Sequence, residues 1–141
     1  MLTIPLEGGA GVLKHNLPVE KFRLSDHGNW RHTHLHALEA SYGKAPYFGE
    51  LMSRIEEVYN DDFILLKDFN IAIDRVCWSF LTRDRNPILL KKEFLADEAP
   101  LARGEEILAG LNASLSIIDA LMRLGPETLL GIMAHIYPEY Y

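Results

Sequence analysis

The stretch from Trp30 to Phe48 constrains this chain most, because both its apolar residues and its breaks follow helical rules. It holds three of the six histidines of the chain and one of its two tryptophans. Residues 31–43 carry apolar side chains three and four positions apart, which is typical of an amphipathic helix. Gly43 and Pro46 then predict the end of that helix and the beginning of a second one.

The predicted helix presents one apolar face that includes a histidine. At about 100° per residue, three side chains fall within about 100° of His34 on one side: Leu38, Tyr42 and Leu35. The pattern therefore predicts that His34 faces the protein interior. Trp30 lies one turn before it, and with Tyr42 it would form an aromatic wall. Two interpretations of His34 stay open: a hydrogen-bonded core residue, or a general base.

His32, His36 and Glu39 fall together on the opposite face of the helix. Their spacings would allow a metal face of two histidines and one carboxylate. The glutamate does not lie between the histidines, so the HExxH pattern of zinc proteases is absent. Solvated side chains are the favoured interpretation. No metal site is predicted, and the residues identify no cofactor.

Several blocks of the sequence resemble the WbqC-like protein family. They are, with the central block first, WRHTHLHALEASYGKAPYF at 30–48, LTIPLE at 2–7, FRLSD at 22–26 and LSIIDALMRLGPE at 115–127. The blocks keep the order of the family over most of the chain. The resemblance implies a bacterial protein of O-antigen or other surface-polysaccharide biosynthesis.

The same resemblance implies a reaction, the transfer of a glycyl, other aminoacyl or acyl group to an activated sugar. The family supplies no established catalytic residues. We therefore expect His34 to be the catalytic base, because aminoacyl transfer needs a group that takes a proton from the attacking amine or hydroxyl. Trp30, Tyr42 and Tyr47 are the expected substrate-binding residues, and a sugar nucleotide is the expected substrate.

The beginning of the chain departs from the family pattern. Family members carry a further N-terminal section ahead of the LTIP segment, whereas Met1 directly precedes Leu2 here. The expectation is a single domain over residues 1–141 that matches the central and C-terminal part of the family. If the further section carries reactive groups, the alternative function is a binding or assembly module without catalysis.

Composition restricts the functional classes. Apolar residues make up 48% and charged residues 24% of the chain, which is typical of a folded globular domain. The net charge of −6 and the lack of a basic run argue against nucleic-acid binding. No apolar run is long enough to span a membrane, and no signal peptide is recognisable, so a cytoplasmic location is expected. Cys77 is the only cysteine, and its apolar surroundings predict a buried, inert thiol.

The predicted fold class is mainly α, a helical domain with a small N-terminal β element, and an α+β fold is the alternative. About six helices are expected, at residues 31–43, 45–59, 68–82, 101–111, 114–123 and 126–136. The apolar stripe of the second helix ends at either Val58 or Tyr59. Residues 2–6 and 21–24 are strand candidates, and residues 88–90 are a third, short candidate. The aromatic tail at 137–141 favours a homodimer, since exposed apolar patches usually mark interfaces.

Overall fold

The computed structural model describes residues 2–9, 11, 17–86, 89–90, 103, 106–107, 109 and 116–136. Its α-helices are α1 (Trp30–Tyr42), α2 (Phe48–Asn60), α3 (Leu66–Thr82), α4 (Ile117–Leu124) and α5 (Thr128–Ile136). Single turns of 3-10 helix cover Val19–Lys21 and Gly125–Glu127. The mainly α class is confirmed. The count of about six helices is not, and most of the predicted helix at 101–111 lies outside the described residues.

The predicted N-terminal β element is not confirmed, because the described residues form no strand. Two isolated antiparallel bridges take its place, one between Leu6 and Leu24 and one between Arg23 and Leu65. Pro5 has no amide hydrogen with which to extend the pairing beyond Leu6. The bridges nevertheless bring the N-terminal segment and the segment before α1 against the beginning of α3.

The larger apolar cluster joins α2, α3 and α4. Its buried residues are Leu51, Ile55, Cys77, Phe80, Leu81, Leu121 and Met122. The spacing of three and four residues on α2 and α3 therefore does mark their buried faces, as the sequence predicts. The prediction of a buried thiol at Cys77 is also confirmed, and burial raises the pKa of that thiol above its usual value.

A smaller cluster fixes the beginning of α1. It consists of Leu24, Trp30, Val58 and Phe69, all of which are buried. The Trp30 and Phe69 rings meet edge to face, with 5.6 Å between their centroids. The first turn of α1 is thereby held against α2 and α3, so the position of the helix relative to its neighbours is determined by packing.

Gly125 lies in the connection between α4 and α5, where the Gly125-Pro126 pair predicts the end of one helix and the beginning of the next. Its φ of +59° is one that residues with a side chain rarely adopt. A Cβ at this position would lie 2.5 Å from the Tyr47 ring. The Tyr47 amide also donates a hydrogen bond of 3.1 Å to the Met122 carbonyl, so the segment before α2 packs closely on the α4–α5 connection.

Candidate functional site

His34 lies on the inner face of α1. Its side chain is 4% exposed, whereas those of His32 and His36 are exposed. The prediction that the three histidines divide between two faces of one helix is therefore confirmed. A histidine buried to this degree needs hydrogen-bond partners for both ring nitrogens, because an unpartnered polar atom in the interior is costly.

Both partners of the His34 ring are present. Nε2 lies 3.0 Å from the Thr3 carbonyl oxygen, and Nδ1 lies 3.0 Å from the Tyr59 hydroxyl. A carbonyl oxygen only accepts, so Nε2 must carry a hydrogen and donate it. In the neutral ring Nδ1 is then the acceptor, and the Tyr59 hydroxyl donates to it. The two partners assign the tautomer of His34.

Trp30 supports the His34 ring from the side. The two rings meet edge to face, with centroids 5.2 Å apart. The indole nitrogen of Trp30 donates to the Ser25 carbonyl at 3.0 Å, so the indole itself has a fixed orientation. The Arg31 guanidinium lies 4.8 Å from the centre of the Trp30 ring and donates to the Tyr59 carbonyl at 2.9 Å. These contacts fix the Trp30 indole, which packs against the His34 ring.

A cleft of about 740 Å³ opens beside His34. Described residues from the N-terminal segment, α1, α2, α3 and the beginning of α4 line it: Leu2, Ile4, His34, Ala37, Leu38, Ser41, Tyr42, Ile55, Tyr59, Phe69, Asn70, Ile73, Asp74, Ser116 and Ile118. On α1 and α3 the lining residues recur three to four positions apart, so each helix presents one face to the cleft. A volume of this size suits a small organic ligand.

The polar groups of the cleft are neutral or acidic. Ser41 and Asn70 contribute a hydroxyl and an amide, and Asp74 contributes a carboxylate. Among the described lining residues there is no lysine and no arginine. Apart from Ser116 and the polar groups of His34, Tyr42 and Tyr59, the rest of the described lining is apolar, as in most ligand-binding clefts. The lining therefore favours ligands that combine apolar surface with hydrogen-bonding groups.

Tyr42 lies in the cleft near a buried carboxylate on α4. Asp119 is 4% exposed and accepts a hydrogen bond of 3.0 Å from the Arg123 guanidinium. Burial, and then the charge and hydrogen bonding of Asp119, raise the pKa of the Tyr42 hydroxyl above its usual value, while Arg123 opposes the shift. Tyr42 thus keeps its proton at neutral pH.

Tyr59 is the site residue that sequence reasoning misses. The sequence leaves open whether Val58 or Tyr59 ends the apolar stripe of α2, and the structure gives both a role. Val58 is buried in the core, and Tyr59 is half-buried and lines the cleft. Burial raises the pKa of the Tyr59 hydroxyl above its usual value, and Arg31 opposes the shift. No linear spacing connects Tyr59 with His34, so only the fold reveals the pair.

The expected substrate-binding residues lie at different places. Tyr42 lines the main cleft. Trp30 lines a smaller hollow of about 300 Å³ on the Thr3 side of His34. Tyr47 lines neither in the described part of the chain, since its ring packs on Phe80 and Gly125. Of the predicted site residues, His34 and Tyr42 therefore line the main cleft and Trp30 does not. Tyr59, which was not predicted, lines it as well.

The outer face of α1 borders a separate, smaller hollow. His32, His36 and Glu39 line it, and Glu56 of α2 faces them. The two imidazole rings are 6.2 Å apart between centroids. Within the part of the chain that the structure describes, no three His, Cys, Asp or Glu side chains come together as a metal-binding group. Nor is any described helix long and apolar enough to cross a bilayer.

The architecture is that of a small helical protein with a ligand-sized cleft between its helices and its N-terminal segment. The sequence model of the WbqC-like protein family matches residues 1–113. Because the match covers well over half of the chain, the protein belongs to the WbqC-like protein family. The block at 115–127 lies beyond the matched residues. No curated protein and no solved structure matches the chain.

Proposed function

We propose that this protein transfers an aminoacyl or acyl group to an activated sugar in the biosynthesis of a bacterial surface polysaccharide such as O-antigen, in the cytoplasm. The observation that carries the proposal is the cleft of about 740 Å³ beside the buried His34 and its hydrogen-bond partner Tyr59. A sugar ring and its substituents fit such a volume. The imidazole of His34 can take up a proton through its hydrogen-bond partner Tyr59, which lines the cleft.

The proposed reaction is an acyl transfer from an ester or thioester donor. An amine or hydroxyl of the sugar attacks the acyl carbon, and a new C–N or C–O bond forms while the bond from the acyl carbon to the leaving oxygen or sulfur breaks. The proton of the attacking group passes to the base, and the leaving group receives a proton as it departs. His34 is the proposed base, and Tyr42 is a proposed contact of the sugar.

The charge of the cleft determines how a sugar nucleotide would bind. Asp74 is acidic, and the described lining contains no cationic side chain that would pair with phosphates. We therefore propose that the sugar enters the cleft while the nucleotide and its phosphates stay outside the described lining. Tyr47 has no part in this arrangement, because it packs on Gly125.

Direct detection of the product tests the transfer. The protein is incubated with a nucleotide-linked amino sugar and an aminoacyl or acyl thioester, and mass spectrometry follows the sugar nucleotide. The expected product is heavier by one acyl group, and the His34→Asn variant forms it at least 100-fold more slowly. The exposed His32→Asn variant is the control and should match the unmodified protein. Product formed equally fast by both variants would remove His34 from the mechanism.

A binding module without catalysis is the second candidate function. The observation in its favour is that both ring nitrogens of His34 already have partners, Thr3 and Tyr59, so that the ring has the hydrogen bonding of a structural histidine. In that case the sugar nucleotide binds but no donor is consumed. Calorimetric titration that shows binding, together with an unchanged mass after incubation with donors, would select this function.

We also propose that the chain forms a homodimer. Ile71 and Trp78 lie seven residues apart on α3, which places them on one face, and they are 39% and 53% exposed. An exposed tryptophan beside another large apolar side chain is typical of interfaces. Sedimentation velocity of the intact chain tests this proposal, and Trp78→Lys should shift the dimer towards the monomer. A monomer at all concentrations would contradict it.

A further inference from the structure

The chemistry of its two partners gives the direction of both hydrogen bonds of the neutral His34 ring. One of these partners, Tyr59, lines the cleft. The Thr3 carbonyl accepts from Nε2, so Nδ1 of the neutral ring accepts from the Tyr59 hydroxyl. Tyr59 has a single hydrogen, and that hydrogen is committed to His34. Tyr59 lines the cleft, and its phenolic oxygen therefore has lone pairs to offer and no donor.

We infer that the cleft selects ligands by their hydrogen-bond donors, with Tyr59 as the residue that contacts the hydroxyl or amino group of the ligand. A sugar hydroxyl or an ammonium group can donate a hydrogen bond to the Tyr59 oxygen. A carboxylate or phosphate oxygen is itself an acceptor, so it would be repelled by the Tyr59 oxygen and form no hydrogen bond with it. The ligand class is thus a neutral or cationic polyhydroxylated molecule, with an amino sugar as the best fit. The inference rests on the proposed function in that it concerns the same cleft.

The formal charges point in the same direction. Asp74 is the charged residue among the described lining residues, and it is an anion. It lies one turn after Asn70 on the face of α3 that borders the cleft. A carboxylate at this position attracts an ammonium group and repels phosphates and carboxylates. Charge and hydrogen-bond direction therefore select the same ligands.

The arrangement also defines a route for the proton in the proposed transfer. The attacking amine, in its neutral form, would donate to the Tyr59 oxygen, and Tyr59 would pass its own hydrogen to Nδ1 of His34. The amine nitrogen bonds to the acyl carbon in the same step. As the bond from the acyl carbon to the leaving sulfur or oxygen breaks, the proton returns from Nδ1 through Tyr59 to the departing group. The imidazolium formed keeps its Nε2 hydrogen on the Thr3 carbonyl. Tyr59 is thereby the catalytic residue at the substrate, and His34 acts through it.

Two monosaccharides of opposite charge test the inference. Glucosamine and glucuronate share a hexose ring, and one carries an ammonium group while the other carries a carboxylate. Titrations followed by amide chemical shifts of the intact protein should show glucosamine binding at the cleft and glucuronate binding at least tenfold more weakly. The Tyr59→Phe variant should bind glucosamine at least tenfold more weakly. Tyr47→Phe is the matched control, since it removes the same oxygen from a ring packed on Gly125.

A spectroscopic readout keeps the test independent of any loss of folding. Long-range proton–nitrogen correlation spectra of the unmodified protein should show His34 protonated at Nε2 and bare at Nδ1. The opposite tautomer would overturn the inference. Equal glucosamine affinity in the Tyr59→Phe variant, tighter binding of glucuronate, or no binding of glucosamine at the cleft would overturn it too.

The outcomes separate the inference from the proposed function. Glucuronate preference together with acyl transfer would overturn the inference and leave the transferase in place. Glucosamine binding that depends on Tyr59, without transfer to any sugar nucleotide, would support the inference and contradict the transferase.

Discussion

The Tyr59 hydroxyl and Nδ1 of His34 lie 3.0 Å apart, although the two residues are 25 positions apart in the sequence. This bond joins the inner face of α1 to the last turn of α2. The other ring nitrogen of His34 holds the N-terminal segment through the Thr3 carbonyl. One side chain thus connects three separate segments at the wall of the cleft, and its removal should affect stability and binding together.

Replacement of His34 by asparagine should lower the free energy of unfolding by about 1–3 kcal/mol. The shorter amide cannot reach Thr3 and Tyr59 at the same time, so at least one buried group loses its partner. Ligand binding at the cleft should be lost while the fold survives. Urea denaturation measures the first effect, and titration with a nucleotide-linked amino sugar measures the second.

His32→Asn is the matched control for that experiment. Its imidazole is exposed on the opposite face of the same helix, where substitutions usually change stability by less than about 0.5 kcal/mol. Binding should be unchanged. If the His34 and His32 variants bind the ligand equally well, His34 is a structural residue and not a contact of the ligand.

The sequence predicts those parts of this site that depend on periodicity. Leu35, Leu38 and Tyr42 predict that His34 points inwards, because the helical repeat places all four side chains on the same face. The ends of α1 and α3 also follow from local signals, as Gly43 and the polar residues after Thr82 show. Gly125, at the end of α4, is predicted for the same reason.

What the sequence does not predict depends on contacts between distant segments. The partner of His34 at Nε2 is a backbone carbonyl, which has no residue-type signal. Its partner at Nδ1 is Tyr59. The apolar stripe of α2 is compatible with either Val58 or Tyr59 as its last residue, so the sequence does not single out Tyr59. Residues 2–6 and 21–24 carry β-forming residues, yet tertiary contacts give only single bridges there, since a strand requires neighbours that continue the pairing.

Gly125→Ala should destabilise the protein by about 3 kcal/mol or more. The new Cβ meets the Tyr47 ring at 2.5 Å, and the φ of +59° is unfavourable for alanine. Gly28→Ala separates the two causes, because Gly28 has a φ of +73° and nothing within 4 Å of a new Cβ. It should cost only about 1 kcal/mol. Thermal unfolding of both variants measures the difference, and equal losses would contradict the close packing of Tyr47 on Gly125.

Arg83→Gly should stabilise the protein by about 0.5–1 kcal/mol. Arg83 follows the last residue of α3 with a left-handed φ of 51°, a conformation that glycine adopts without the steric cost of a Cβ. Arg75→Gly is a control of opposite sign, because an exposed position inside the same helix loses about 1 kcal/mol with glycine. Urea midpoints of the two variants should therefore move in opposite directions. A destabilised Arg83→Gly variant would mean that the arginine side chain contributes more than its backbone conformation costs.

Alkaline pH should destabilise the protein partly through Tyr59. Burial raises the pKa of this hydroxyl in the folded state above its value of about 10 in the unfolded chain. The folded state therefore holds its proton more tightly. The resulting stability is fully present below pH 10 and is lost as the pH rises through the folded pKa.

The pKa of Tyr42 is raised as well, so the contribution of Tyr59 is measured by comparing the unmodified protein with a variant that lacks only the Tyr59 hydroxyl. Urea denaturation from pH 8 to 11 should show a shallower loss of stability in Tyr59→Phe than in the unmodified protein. Parallel curves would show that Tyr59 ionises as freely in the fold as in the unfolded chain, and would contradict the burial of its hydroxyl.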